Sequence, residues 1–196
     1  MALRTFVKVN GVNNLSDARY CAGMSVDQLG FNIEPEHANY TDAKAFKEIS
    51  DWLSGVAYVA EIESENTAIN EAISGYEVQA IQIEHESQLD AAGETGLSVI
   101  FKVDSLSNGQ YIWNLYQDKL AYILVDLSDS KLDELEPQEY PMVVQGQIDD
   151  ANVDSLLENL EPKGIALVGG NEIRPGFKDF DALADILEAL EIDDLD

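Results

Sequence analysis

Short β-branched or apolar runs alternate along this chain with stretches in which apolar residues recur at helical spacing. The runs predict eight strands, at 6–10, 28–32, 56–62, 80–84, 98–103, 122–127, 142–145 and 165–168. The periodic stretches predict helices at 15–22, 41–53, 65–74, 88–93, 111–119, 132–136, 151–160 and 179–190. Strict alternation gives parallel strands joined by crossover helices, and eight such units within 196 residues favour an eightfold β/α barrel.

The alternative architecture is an open, doubly wound sheet. No glycine-rich dinucleotide fingerprint and no phosphate-cradling Walker loop follows any predicted strand, which disfavours that alternative. Because no linker rich in Pro, Gly or Ser interrupts the chain, we expect one barrel domain over 1–196. Two of the helices have predicted N-caps, Ser16 and Thr41.

Acidic residues dominate the charge of this chain. It has 38 Asp and Glu against 11 Lys and Arg, a formal charge of −27, which argues against binding nucleic acid or an anionic membrane surface. The charge fits a solvated surface better than an acidic docking surface, although steering of a basic protein partner stays open, as does a homodimer. Cys21 is the single cysteine, so an intrachain disulfide and a cysteine-based zinc site are excluded. With no run of about 20 apolar residues, we expect a soluble, cytoplasmic protein without a membrane span.

The carboxyl ends of the strands form the working face of a β/α barrel, so the candidate site residues follow from the strand predictions. They include Asn10, Glu61, Glu84, His85, Asp104, Asp126, Gln145, Gly146, Gly169 and Gly170. Side chains alternate along a strand, so Lys8 shares a face with Asn10, and Asp126 shares one with Leu124. If Leu124 fills the barrel, Asp126 points into its mouth.

Glycines follow the last two predicted strands, at Gly146 and at Gly169 and Gly170. They would let backbone N–H groups approach a ligand, and a helical turn at 171–173 would add its positive end, which is how many barrels hold a phosphate. The alternative is that these glycines only make tight turns. Arg174 and Lys178 lie nearby and suit either an anion or a solvated ion pair.

The carboxylates and histidines at the strand ends allow two further interpretations. His85 lies beside Glu84, where it could act as an acid or base at the mouth, but a solvated loop histidine is the more common case. Glu61, Glu84, Asp104 and Asp126 are hard oxygen ligands that could hold a divalent cation, although their spacing alone does not support a metal site. We therefore expect neither a metal nor an organic cofactor.

Asn10 limits the chemistry at the first strand end. An amide neither gives up a proton near neutral pH nor removes one, so Asn10 can orient a substrate by hydrogen bonds but cannot be a general base.

The chain resembles the phosphoribosylanthranilate isomerases, small β/α barrels of tryptophan biosynthesis. The likeness is clearest over 7–32, where Val-Lys-Val-Asn-Gly-Val-Asn-Asn-Leu-Ser-Asp-Ala is followed by Gly23 and by Leu-Gly-Phe at 29–31. It resumes at 80–83, at 123–126, at Gly169 and Gly170, and at 175–179, and is weak between these segments.

The resemblance implies an Amadori rearrangement of N-(5-phosphoribosyl)anthranilate, which needs an acid to open the ribose ring and a base to take a proton from the adjacent carbon. Asp126 matches the family's acid. Asn10 stands where the family has its cysteine base, and Asn39 stands where an arginine usually pairs with the substrate's carboxylate. Glu84 and His85 replace a His-Gly pair.

The resemblance therefore implies a site whose phosphate end is kept and whose base and carboxylate clamp are missing. We expect a barrel that binds a phosphorylated small molecule, with the isomerisation weak, altered or lost. Glu84, Glu61 or His85 would be a displaced base. The alternative is a non-catalytic binding or regulatory protein on the same barrel.

Overall fold

In the computed structural model, residues 2–128, 136–169, 172–174, 177–178 and 181–192 are described. Eight parallel strands close into a barrel in chain order, so the predicted eightfold architecture is confirmed. They are β1 (Phe6–Asn10), β2 (Gln28–Asn32), β3 (Ala57–Glu61), β4 (Ala80–Ile83), β5 (Ser98–Val103), β6 (Leu120–Asp126), β7 (Met142–Gln145) and β8 (Gly164–Val168). Pairing of β1 with β8, from Phe6 opposite Gly164 to Asn10 opposite Val168, completes the ring.

Helices separate most of the strands, as the alternating pattern predicts. They are α1 (Leu15–Gly23), α2 (Ala43–Ser50), α3 (Ile69–Ala72), α4 (Leu89–Glu94), α5 (Leu106–Tyr116), α6 (Val153–Leu160) and α7 (Asp181–Ala189), with a 3₁₀ turn at Glu86–Gln88. The helix predicted at 132–136 falls mostly outside the described residues. No helix in the described part of the chain has the length and apolar character needed to cross a membrane.

Two of the helix starts differ from the sequence prediction. The N-caps of α1 and α2 are Asn14 and Asp42, and the predictions of Ser16 and Thr41 were wrong. The Asn14 side chain accepts a hydrogen bond from the Asp17 N–H at 3.0 Å, and Asp42 accepts from the Ala45 N–H at 2.8 Å. Both reach amide groups that the first helical turn leaves without partners, which fixes where each helix begins.

Two helices have lengths that periodicity alone did not give. Helix α5 begins at Leu106, five residues earlier than predicted, because Ser105 caps it and its glycine, Gly109, is buried within it. A Cβ at Gly109 would come within 2.4 Å of the Tyr140 hydroxyl, so glycine here permits close packing of the helix. Helix α3 is only four residues long.

The short α3 follows a loop that is tied down by one buried carboxylate. Glu34 accepts hydrogen bonds from the N–H groups of Glu63, at 2.7 Å, and Ser64, at 3.1 Å, and from the Thr67 hydroxyl. These bonds hold the backbone just before the predicted helix and the side chain of Thr67 within it, and the helix begins only at Ile69.

The strands separate two apolar cores. Alternate strand residues point outward and pack against the helices, while the others fill the barrel. The interior cluster consists of Val59, Ala80, Ile100, Tyr122, Leu124, Val143 and Ala166, with Phe6 beside it. It occupies the lower and middle part of the barrel, so the polar inward-facing residues nearer the carboxyl ends form a separate layer at the mouth.

Candidate active site

A buried ion pair lies at the base of the mouth. Lys8 is fully buried, and its Nζ lies 2.6 Å from Oε1 of Glu61, which is on β3, two strands along the barrel. The other oxygen of Glu61 accepts the Gly11 N–H at 3.1 Å. Burial lowers the pKa of Lys8, and the charge and hydrogen bond of Glu61 oppose that shift.

Gly30 makes room for this pair. A Cβ at Gly30 would fall 1.8 Å from the Glu61 Oε1 and 2.9 Å from the Lys8 Nζ. Both distances are too short for any atom other than hydrogen, so a side chain at position 30 would displace the pair.

Asn10 is held by hydrogen bonds on both sides of its amide. Lys8 donates to its Oδ1, and its Nδ2 donates to Oε1 of Gln145. An ammonium can only donate, which fixes Oδ1 as the acceptor and Nδ2 as the donor. Both ends of the Asn10 amide are therefore engaged, and Asn10 is 8% exposed.

The hydrogen bonds continue from Asn10 to Asp126. Gln145 accepts from Asn10, so its Nε2 is free to donate, and it donates to Oδ2 of Asp126 at 2.6 Å. The other oxygen of Asp126 accepts the Ser128 N–H at 3.1 Å and the Ser128 hydroxyl at 2.6 Å. The structure thus brings Asn10 and Asp126 together through one intervening side chain, with Asp126 an acceptor at both oxygens.

We call the hydrogen-bonded series Lys8, Asn10, Gln145 and Asp126 the relay. A groove of about 720 Å³ opens beside it, between the ends of β4, β5 and β6 and helix α5. We call it the mouth groove; its lining includes Glu84, His85, Lys102, Asp104, Tyr111 and Asp126. Its volume lies within the range of small-molecule sites. Asn10 is not among the lining residues, so the relay and the groove meet at Asp126.

Lys102 and Glu84 form an ion pair within the mouth groove. The Lys102 Nζ lies 2.8 Å from Oε1 of Glu84, and both side chains are partly exposed, 21% and 29%. Burial alone would lower the pKa of Lys102, but the hydrogen bond to Glu84 and the carboxylate charges around it raise it, and the net shift is upward. Lys102 therefore remains a cation at the edge of the groove.

Two other predicted site residues, His85 and Asn39, make hydrogen bonds outside the relay and the Lys102–Glu84 pair. His85 lines the groove, and its Nε2 lies 2.9 Å from the backbone oxygen of Glu63. Asn39 is away from the groove, and its Oδ1 accepts a 3.3 Å hydrogen bond from Asn13. Among the described hydrogen bonds and ion pairs, none brings a Lys or Arg side chain to Asn39, the position where an arginine would bind a carboxylate; the Asn39 N–H donates to His37 Nδ1 at 3.1 Å.

The predicted phosphate end is only partly described. The Gly169 N–H donates to the backbone oxygen of Asn10 at 3.2 Å, and Gly146 accepts from the Ile148 N–H at 3.0 Å. Gly170 lies outside the described residues, as do the side chains of Arg174 and Lys178. The helical turn predicted at 171–173 was wrong over its described part, because Glu172–Arg174 is a strand paired antiparallel with Phe177–Lys178. Phosphate binding here stays a prediction and loses the support of a helix N-terminus.

The described residues do not favour the divalent-cation interpretation. No group of three or more His, Cys, Asp or Glu side chains in the described ranges is arranged to hold a metal. Glu61 points to Lys8, and Glu84 points to Lys102.

Lys102 is not among the site residues predicted from the sequence. Alternation along the strand could have found it, because Lys102 lies two residues beyond Ile100 and therefore on the inward face of β5. A lysine that follows the apolar run Val-Ile-Phe within a strand is a reason to look for a buried partner.

Comparison with known proteins shows that this barrel is similar to enzymes of one kind. No family model matches the chain. It is 25% identical to N-(5'-phosphoribosyl)anthranilate isomerase of Synechococcus sp. over 95% of this chain and 91% of that protein. It is 24% identical to the same enzyme of Aquifex aeolicus over 93% of this chain and 96% of that one. The chain is a relative of the phosphoribosylanthranilate isomerases.

Solved phosphoribosylanthranilate isomerases share the fold. The enzyme from Thermotoga maritima superposes with a TM-score of 0.74 at 22% identity, covering 95% of this chain and 98% of that one. A second structure, with a TM-score of 0.73, is a complex with reduced 1-(o-carboxyphenylamino)-1-deoxyribulose 5-phosphate. The resemblance read from the sequence is therefore confirmed along nearly the whole chain.

Proposed function

We propose that this relative of the phosphoribosylanthranilate isomerases binds a phosphorylated small molecule across the barrel mouth. We further propose that the isomerisation of tryptophan biosynthesis is weak, altered or lost in it. The observation that carries the second part is the engagement of Asn10 between Lys8 and Gln145. An amide that is bonded at both ends neither removes a proton nor turns to a substrate without breaking those bonds.

The proposal assigns one role to each end of the mouth. Gly146 and Gly170 would receive the phosphate through their backbone N–H groups, and Gly169, whose N–H donates to the Asn10 carbonyl, would let the phosphate approach the backbone closely. Asp126 would be the acid, since it lines the mouth groove and lies at the end of the relay. The 5-phosphate ligand bound by a structurally similar isomerase supports this choice of ligand class.

The absence of a carboxylate-binding arginine at position 39 gives a separate reason to expect weak isomerase activity. Asn39 bonds to Asn13 and supplies no positive charge. Losing a charge-assisted contact of this kind costs about 1.5 to 3 kcal/mol, or roughly one to two powers of ten in affinity. An aryl carboxylate would therefore bind less tightly here than in an enzyme with the arginine.

The substitution Asn10→Cys tests the assignment of the missing base. A cysteine at position 10 would lie beside the Lys8 ammonium, a cation that favours the reactive thiolate. A positioned general base contributes about 10²- to 10⁴-fold, so we expect phosphoribosylanthranilate turnover, followed by loss of its fluorescence, to rise by about that factor over wild type.

The matched control is Asn10→Ser, which is similar in size but offers a hydroxyl that stays protonated. It should match the wild type. The reasoning fails if the wild type already turns over at the rate of the cysteine variant, or if the serine variant gains as much.

A non-catalytic binding protein is the second candidate, favoured by the same engaged amide. It predicts that Asp126→Asn leaves a buffer-level rate unchanged while phosphate still raises the thermal midpoint. A wild-type rate above buffer that falls in Asp126→Asn would contradict it.

A further inference from the structure

The mouth groove contains an acid–base arrangement that does not involve Asn10. Glu84, Lys102 and Asp126 lie at the ends of three neighbouring strands, β4, β5 and β6. All three line one cavity. The groove thus offers two carboxylates with an ammonium on the strand between them, within a volume suited to a small ligand.

Lys102 and Glu84 are accessible from the groove, whereas Lys8 is not. Lys102 and Glu84 touch at 2.8 Å, and their partial exposure leaves room for a ligand atom beside each. Lys8, in contrast, is fully buried against Glu61, so it is not accessible to a ligand. Among the described Lys and Arg side chains, Lys102 is the one that lines the groove.

We propose that the mouth groove is a proton-transfer centre for a phosphorylated aldose or ketose, with Glu84 as the base and Lys102 as the oxyanion-binding cation. The inference rests on the proposed function for the phosphate end. It differs in placing the reacting carbons over β4 to β6 rather than over Asn10.

The reaction balances without an added reactant. Glu84 takes the proton from the carbon next to the carbonyl, and the electron pair of that C–H bond forms a C=C bond. The carbonyl π pair moves onto its oxygen, which accepts a hydrogen bond from the Lys102 ammonium. Asp126 takes the neighbouring hydroxyl proton and passes it to that oxygen. Glu84 then returns its proton to the former carbonyl carbon, so a ketose becomes an aldose.

The charges of the groove restrict the part of the substrate that enters it. Glu65, Glu86 and Asp104 also line it, so a carboxylate or phosphate placed there would be repelled. Uncharged hydroxyl and carbonyl groups are compatible with this lining. The substrate class is therefore a sugar phosphate whose single anionic group lies at the β7 and β8 end.

The probe is D-ribulose 5-phosphate in D₂O, followed by proton NMR. Deuterium should replace a C1 proton, with aldopentose 5-phosphate forming at a comparable or lower rate. We expect Glu84→Gln to slow exchange at least about 100-fold and Lys102→Met at least about 10-fold. The exposed substitutions Glu48→Gln and Lys44→Met on α2 are the matched controls and should leave the rate within about twofold.

Circular dichroism confirms that each variant is folded, and inorganic phosphate binding is measured separately by calorimetry. Exchange at the buffer rate in the wild type overturns the inference. So does exchange that survives in Glu84→Gln. If phosphate still binds in either case, the proposed function stands while the inference falls; if phosphate does not bind, both fall.

Discussion

The buried Lys8–Glu61 ion pair should affect the free energy of unfolding by an amount that can be estimated from its geometry. At 2.6 Å and an effective dielectric constant of about 20, the gross attraction between the charges is about 6 kcal/mol. Much of that offsets the cost of burying both ions, so the net value of the pair is small. Removing one partner is different, because the other charge stays buried with too few partners.

We therefore expect Lys8→Met to lower the free energy of unfolding by about 3 to 5 kcal/mol. Methionine keeps the length of the side chain, so the loss reports the uncompensated Glu61 carboxylate and the lost hydrogen bond to Asn10 rather than a cavity. Adding Glu61→Leu removes that charge as well. The double variant should then be less destabilised than Lys8→Met alone, although the Gly11 N–H loses its acceptor and costs about 1 to 3 kcal/mol.

Urea denaturation at pH 7 gives the free energy of unfolding of the wild type, Lys8→Met, Glu61→Leu and the double variant, without adding salt that would screen the pair. The coupling between the two substitutions decides the result. If the two single losses simply add in the double variant, the charges are not coupled as the structure shows, and the reasoning is refuted.

Two further predictions concern the residues around the mouth. Gly30→Ala should lower the free energy of unfolding by about 1 to 3 kcal/mol in the same urea assay, because the new methyl group meets Glu61 and Lys8. The control is Gly23→Ala, which should not lose stability because the space around Gly23 is open. Equal losses in the two variants would contradict this prediction. The pKa of Lys102 is raised above 10.5, so its stabilising effect is present below pH 10.5 and is lost as pH rises through the folded-state value. The stability difference between wild type and Lys102→Met should shrink over that alkaline range, and a difference that grows would contradict the sign.

The barrel was predictable from the sequence because its determinants are local. Four of the strands, including Phe6–Asn10 and Met142–Gln145, have the predicted bounds, since β-branched runs ending at glycine or polar residues leave little ambiguity. Helix lengths were less predictable. Helix α5 extends through Gly109 because of packing against Tyr140, a residue distant in sequence.

The inward positions of Asn10 and Asp126 were predictable from the sequence, but the hydrogen bonds that connect them were not. Alternation along β1 and β6 placed Asn10 and Asp126 on the inward face, and the structure agrees. The relay through Gln145 depends on side chains from three strands whose hydrogen bonds orient one another, starting from the Lys8 ammonium. No local pattern encodes that sequence of donors and acceptors. Lys102 was overlooked because its partner, Glu84, lies on a neighbouring strand.

A crystal structure of the protein soaked in inorganic phosphate would show whether the barrel mouth binds this anion. We expect an anion against the backbone of Gly146, Gly169 and Gly170, with the Asn10 amide still bonded to Lys8 and Gln145. A mouth that stays empty at saturating phosphate, or an Asn10 side chain turned toward the bound anion, would contradict it.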